Sequence, residues 1–133
     1  MSTALENLWP DDFIMTEIRP PVVVLKEQAA FLGQMTKNIV VGEVRTESSL
    51  NEGFSHNLYL VAPALNYRYF LLKVTHGIEL YPAMVVFIPE GGIDREVDSE
   101  EGLKSALRKV FAADKTKRVL NSLLSQSKSA DPF

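Results

Sequence analysis

The sequence predicts an α+β domain built from an N-terminal helix, a four-stranded antiparallel meander sheet and two C-terminal helices packed on that sheet. Three observations carry this. Apolar residues recur at spacings of three and four near both ends of the chain, and at a spacing of two through its middle. The strand-like runs are joined by connections too short for the crossovers that parallel neighbours need. Helical and strand patterns are segregated along the chain rather than alternating.

Residues 1–19 form an arm in which Leu5, Leu8, Trp9, Phe13, Ile14, Met15 and Ile18 are set among Glu6, Asp11, Asp12 and Glu17. Pro10 interrupts any helix there. So much apolar surface is expected to dock, on its own domain or on a neighbouring subunit. Pro20-Pro21 then favours a helix start, because the first turn has amide hydrogens without intrahelical partners. Val24, Leu25, Gln28, Phe31, Leu32 and Met35 continue it as one amphipathic helix over 21–36.

Strand patterns follow at 39–47 and 54–61, separated by turn chemistry that includes Asn51-Glu52-Gly53. The second places Phe54, His56, Leu58 and Leu60 on one side. Ala62 to Asn66 is a short link, so the third strand, Tyr67 to His76, should close an antiparallel hairpin. This third strand is the centre of the predicted sheet. Period two sets Phe70, Leu72 and Val74 on one face and Tyr67, Tyr69, Leu71 and Lys73 on the other, so both faces carry apolar bulk.

The fourth strand is Ala83 to Ile88, and Pro89 to Ser99 reads as a loop turning at Gly91-Gly92. A helix over 100–112 buries Leu103, Ala106, Leu107, Val110 and Phe111, with Asp98 and Glu101 as its capping box. Another, capped by Asp114, runs to about Ser127 and buries Val119, Leu120, Leu123 and Leu124. The domain is therefore placed at 20–128, with 129–133 as a frayed tail. Three amphipathic helices exceed what one face of four strands needs. Either the last pair packs partly on itself, or the second sheet face meets another copy.

Composition bounds the function. With 133 residues the chain suits one domain, and 46% hydrophobic with 23% charged residues gives it both a core and a solvated surface. It has no cysteine, hence no disulfide, thiolate nucleophile or thiolate metal site. The longest apolar run is far below the ~20 residues of a membrane span, and no basic, apolar leader precedes the domain, so a cytoplasmic location without membrane contact is expected.

Chemical constellations are sparse. His56 and His76 lack a third ligand at suitable spacing, so no metal or other cofactor is expected. Ser55 adjoins His56, but strand neighbours point to opposite faces, and no Gly-x-Ser-x-Gly elbow occurs. No aspartate lies between Phe13 and Ile93, and among the glutamates there only Glu27 and Glu43 with Arg45 suggest a metal-nuclease core, a group that a solvated helix face and sheet rim explain better.

Charge is polarised late in the chain. Six acidic residues of 90–101 face only Arg95, and six basic residues of 104–118 face only Asp114. These cations lie opposite the apolar stripe, where a solvated helix carries charge anyway, the acidic loop can neutralise them, and no stacking aromatics are interleaved with them, so nucleic acid is a weak expectation. The remaining anomaly is aromatic: Tyr59, Tyr67 and Tyr69, with Arg68 beside them, combine large contact area with polar tips.

The leading expectation is thus a protein-binding or adaptor module, of regulatory, chaperone-like or immunity-like type, able to associate with a second copy. Its interaction residues would be Tyr59, Tyr67, Arg68, Tyr69 and Trp9. The alternatives are a small-ligand pocket or enzyme built from His76, Glu79 and Tyr81, and nucleic-acid backbone binding by the C-terminal helices.

Overall fold

The computed structural model describes residues 5–13, 18–50, 53–90 and 93–130. Helix α1 (Pro21–Met35) leads into five strands, β1 (Val41–Ser49), β2 (Gly53–Ala62), β3 (Tyr67–His76), β4 (Ala83–Phe87) and β5 (Ile93–Val97), followed by α2 (Glu100–Ala112) and α3 (Asp114–Ser129). The strands form one antiparallel sheet in the order β1-β2-β3-β4-β5, a continuous meander with β3 at its centre. The α+β class and element order are those read from the sequence; the sheet has five strands rather than four.

The extra strand is β5, in the stretch read as a loop. Its pairing with β4 matches Val85 with Arg95, Val86 with Asp94 and Met84 with Glu96. Asp94 and Glu96 sit on the open face of the sheet's last strand, where charge discourages pairing with another chain. That protective charge hid the alternation. The Gly91-Gly92 turn and Asn51-Glu52 lie outside the described residues.

Caps differ by single residues. Ser99, not Asp98, caps α2 by accepting the Gly102 amide at 3.1 Å, and Glu100 and Glu101 place negative charge on the first turn. Ala113 precedes α3 with no side-chain cap, and Asp114 is its first helical residue. The Thr116 hydroxyl holds the α2–α3 junction by donating to the Val110 carbonyl at 2.7 Å. β1 starts two residues later than expected because Lys37 and Asn38 adopt left-handed φ of 54° and 66°, while Thr36 Oγ1 accepts the Val40 amide. The expected frayed tail falls mostly outside the described residues; Ser129 itself ends α3.

All three helices cover one sheet face. Val24 and Leu25 of α1, Leu103, Ala106 and Leu107 of α2 and Leu123 of α3 pack with Leu58, Leu60, Ala62, Leu71, Leu72, Val74, Val85 and Val97 into one core. Each fully buried leucine contributes about 1.5–3 kcal/mol through apolar area removed from water. The opposite face, with Tyr59, Phe70, Lys73 and Val86, carries no helix. Asn57 lies on that face, buried between Arg45 and Lys73 of the neighbouring strands.

One register change organises the centre. Leu58 pairs with Leu72 but Tyr59 pairs with Phe70, so Leu71 is a bulged extra residue in β3. The strict alternation expected for β3 therefore holds only on each side of Leu71. Tyr67, Tyr69 and Leu71 face the helices on one side of it, and Leu72, Val74 and His76 face them on the other. Phe70 turns to the open face, where its ring lies 5.0 Å from that of Tyr59.

The arm does not cover the core. Leu5, Leu8, Trp9 and Phe13 are largely exposed, Trp9 at 74%, and the Trp9 and Phe13 rings meet edge-on at 6.1 Å. Ile14 and Met15 lie outside the described residues. The chain joins the domain at Arg19, which pairs with Glu27 of α1 and Glu100 of α2 while its carbonyl accepts the Tyr81 hydroxyl.

Close approach of α1 to β1 depends on Gly42. A Cβ there would lie 2.6 Å from the Cα of Ala29, so the helix would have to lift off the strand. Gly42→Ala should therefore cost about 1–3 kcal/mol in urea unfolding. Gly77→Ala, where an added Cβ meets nothing within 4 Å, should stay within about 0.5 kcal/mol of the parent.

Candidate binding cleft

The bulge at Leu71 divides the aromatic residues singled out in the sequence. Tyr59 and Arg68 stand on the open sheet face, Tyr67 and Tyr69 turn toward α3, and Trp9 is far out on the arm. They do not form one surface.

On the open face the polar groups satisfy each other. Arg68 sits 5.4 Å from the centre of the Tyr59 ring and pairs with Glu43 at 3.1 Å, and Arg45 pairs with the same carboxylate. Hydrogen bonding from Arg45, together with the charge of Arg68, holds the Glu43 carboxyl below its usual range. This cluster knits β1, β2 and β3 together.

The helix side is different. A cleft of about 660 Å³ opens between α3 and the turn joining β2 to β3, lined by Leu65, Tyr67, Tyr69, Lys115, Arg118, Val119, Ser122, Leu123 and Gln126. Local structure explains each position. Asn66 takes a left-handed φ of 51° after the short 3₁₀ turn Pro63–Leu65, which starts β3 with Tyr67 facing α3. Lys115, Arg118, Ser122 and Gln126 follow at spacings of three and four, so they lie along one side of α3. Leu123 anchors that helix in the core.

No side-chain polar atom of Lys115, Arg118, Tyr67 or Tyr69 has a hydrogen bond or ion pair among the described residues. Lys104, by contrast, is held by Glu100 and Glu101, which keeps it protonated to higher pH than usual. Burial and the neighbouring Tyr67 push the Tyr69 phenol upward, which keeps its hydroxyl a neutral hydrogen-bond donor. Two cations and two phenols thus converge on one concavity, a donor set suited to an anionic group beside an apolar or aromatic one.

Sequence reasoning found Tyr67 and Tyr69 but not their partners. The spacing of Lys115, Arg118, Ser122 and Gln126 is visible in the sequence; its juxtaposition with the β2–β3 turn is not.

The second sequence-derived constellation, His76, Glu79 and Tyr81, does not converge. The Glu79 side chain is exposed, and Tyr81 donates to the Arg19 carbonyl at 3.1 Å, with burial and Glu100 pushing its phenol up to about 12. His76 points inward and meets His56 instead, Nε2 to Nε2 at 2.9 Å, with the rings stacked at 5.0 Å. Both imidazoles are buried, and Phe54 stacks on His76 from the other side at 5.3 Å.

Hydrogen bonding fixes the tautomers. Nδ1 of His76 faces the carbonyls of Gly77 and Glu79 at 2.8 and 3.2 Å, so it carries the hydrogen and its Nε2 accepts. His56 then donates through Nε2, leaving its Nδ1 to accept the Thr46 hydroxyl at 2.9 Å. The chain from Thr46 to the Gly77 carbonyl is complete with both rings neutral. Gly53, at φ +88°, brings the start of β2 against the His76 carbonyl, where a Cβ would sit at 2.3 Å.

Among the described residues no group of three or more His, Cys, Asp or Glu is placed to hold a metal ion, and no helix is long and apolar enough to cross a membrane. Comparison with family models, curated proteins and solved structures returns no match to the chain.

Burial, with the His76 ring and Lys26 adding like charge, pulls His56 down to about 4. Its folded value lies below its unfolded value, so the unfolded chain binds more protons between them. The stabilising contribution is full above about pH 6.5 and fades as the pH falls toward 4, a loss of about 2–3 kcal/mol. Urea midpoints measured from pH 7.5 to 4.5 should fall steeply in the parent and less steeply in His56→Gln.

Proposed function

We propose that the protein is a binding module whose cleft between α3 and the β2–β3 turn captures an acidic segment of a partner protein. The observation that carries this reading is the convergence of Lys115, Arg118, Tyr67 and Tyr69, all without polar partners among the described residues, on one concavity of about 660 Å³. Volumes of ~300–1,000 Å³ suit a few side chains of a peptide or a small ligand. Carboxylates of the segment would take charge-assisted hydrogen bonds from Lys115 and Arg118, with further donation from the tyrosine hydroxyls. Leu65, Val119 and Leu123 would receive an apolar side chain between those contacts.

The open sheet face supports this choice by its chemistry. Its Arg68, Arg45 and Glu43 already pair with one another, so a partner there would have to break existing contacts.

One observation favours a second reading. Tyr67 beside Lys115 and Arg118 is also the pairing of a stacking ring with phosphate-binding cations that single-stranded nucleic acids use. The combination was absent from the basic run in sequence and arises only in three dimensions.

A direct test measures anisotropy of fluorescein-labelled peptides rich in Asp and Glu with one aromatic residue each, beside a labelled oligo-dT strand. The account expects saturable peptide binding that Arg118→Ala and Lys115→Ala each weaken about five- to tenfold, as loss of ~1–1.5 kcal/mol per charge-assisted bond implies. Tighter binding of oligo-dT, with affinity falling steeply with salt, would favour the second reading. Peptide binding indifferent to both substitutions would remove the cleft as its site.

A further inference from the structure

A second concavity, distinct from the tyrosine cleft, lies between α1 and the α2–α3 pair. It holds about 220 Å³, with walls from Phe31, Met35, Phe111 and Leu120 and a floor of Leu58 and Leu71. This is below the ~300–1,000 Å³ of drug-sized pockets and fits a single bulky side chain. Phe31 and Met35 at its mouth are 53% and 82% exposed, an unusual surface position for two large apolar residues on adjacent turns of one helix.

The same chain carries exposed apolar residues with no cover of their own on the arm, chiefly Leu8, Trp9 and Phe13. We infer that the arm, which stands free of the groove in the structure with Trp9 exposed, is a strap that closes onto it in cis, with Trp9 as the anchoring side chain. Neither this pairing nor its residues depend on the proposed peptide cleft.

Two further observations select the arm. The first is charge: residues 1–18 contain Glu6, Asp11, Asp12 and Glu17 and no lysine or arginine. Arg108 lines the adjoining crevice with Gln28 and Phe111, and Lys117 and Lys37 follow the groove residues Thr116 and Met35 by one and two positions in sequence. All three are exposed, and none belongs to an ion pair among the described residues. An aromatic anchor flanked by carboxylates therefore matches an apolar slot flanked by cations.

The second is reach. Arg19 is fixed at the start of α1 by Glu27, Glu100 and Tyr81. From there Phe31 lies about 15 Å along the helix, at ~1.5 Å per residue. Trp9 precedes Arg19 by about ten residues, enough to span up to ~33 Å. The arm reaches the groove with chain to spare. A tether of this length supplies an effective concentration of ~1 mM, so even a modest Kd of ~0.1 mM would keep the arm docked about nine-tenths of the time.

Trp9 is the only tryptophan in the chain, so its fluorescence reports the arm alone. In the full chain the account expects blue-shifted emission and acrylamide quenching several-fold weaker than for Met35→Glu, which places a carboxylate at the mouth and leaves far-UV circular dichroism unchanged. The protected emission should be independent of protein concentration and weaken between low and high salt. Solvent-exposed Trp9 in the parent would overturn the inference. So would protection that appears only as the native mass doubles, which would place the arm on a second copy. Protection that survives Met35→Glu, or that is lost in the Lys115→Ala, Arg118→Ala double variant, would place the arm elsewhere.

Discussion

The extra residue at Leu71 is the constraint on which the molecule depends. A strand without it must choose: either Tyr67 and Tyr69 face the helices and Leu72, Val74 and His76 face out, or the reverse. The bulge removes that choice. Leu71 and Leu72 are both fully buried as a result, and Lys73 is left on the solvent side of the sheet. The hydrophobic gain from two adjacent leucines offsets the interrupted ladder. The α3 cleft and the histidine pair share this origin, because the tyrosines that line the one and the His76 ring of the other lie on opposite sides of one irregularity.

Much of the architecture was legible in the sequence because its signals are local. Pro20-Pro21 before an amphipathic run marks α1, the short links around Pro63 and Gly77 enforce antiparallel neighbours, and the stripe of α2 names its buried residues, whereas α3 buries Leu123 of its stripe and leaves Val119, Leu120 and Leu124 half-buried. β5 was missed because an outermost strand is protected by the same charged residues that make a sequence look like a loop. The caps were displaced by one residue because Asp98, Ser99 and Asp114 all have side chains able to cap, and only backbone geometry decides among them.

The candidate site was half legible. Tyr67 and Tyr69 were singled out in the sequence, but they were grouped with Tyr59 because parity was carried unbroken through Leu71. A bulge has no reliable sequence signature when both residues at it are leucines. His56 and His76 were weighed singly, and their contact follows from the register His56 with Val74 and Phe54 with His76, which sets both on the helix face. His76 was considered as a free polar group beside Glu79 and Tyr81, whereas the fold engages both of its nitrogens.

Division of labour across the surface follows from where polar groups find partners. The bare sheet face binds its own charges together, the histidine pair closes its own chain of hydrogen bonds, and the α3 cleft keeps its donors unused. A test of the central claim is therefore a test of side-chain direction at Tyr69. Nuclear Overhauser spectra of a methyl-labelled sample should show cross-peaks from the Tyr69 ring to the methyls of Val119 and Leu123, with none between the Tyr69 and Tyr59 rings. Cross-peaks joining Tyr69 to Tyr59, with none to α3, would mean that β3 runs without the bulge and that the cleft does not exist as described.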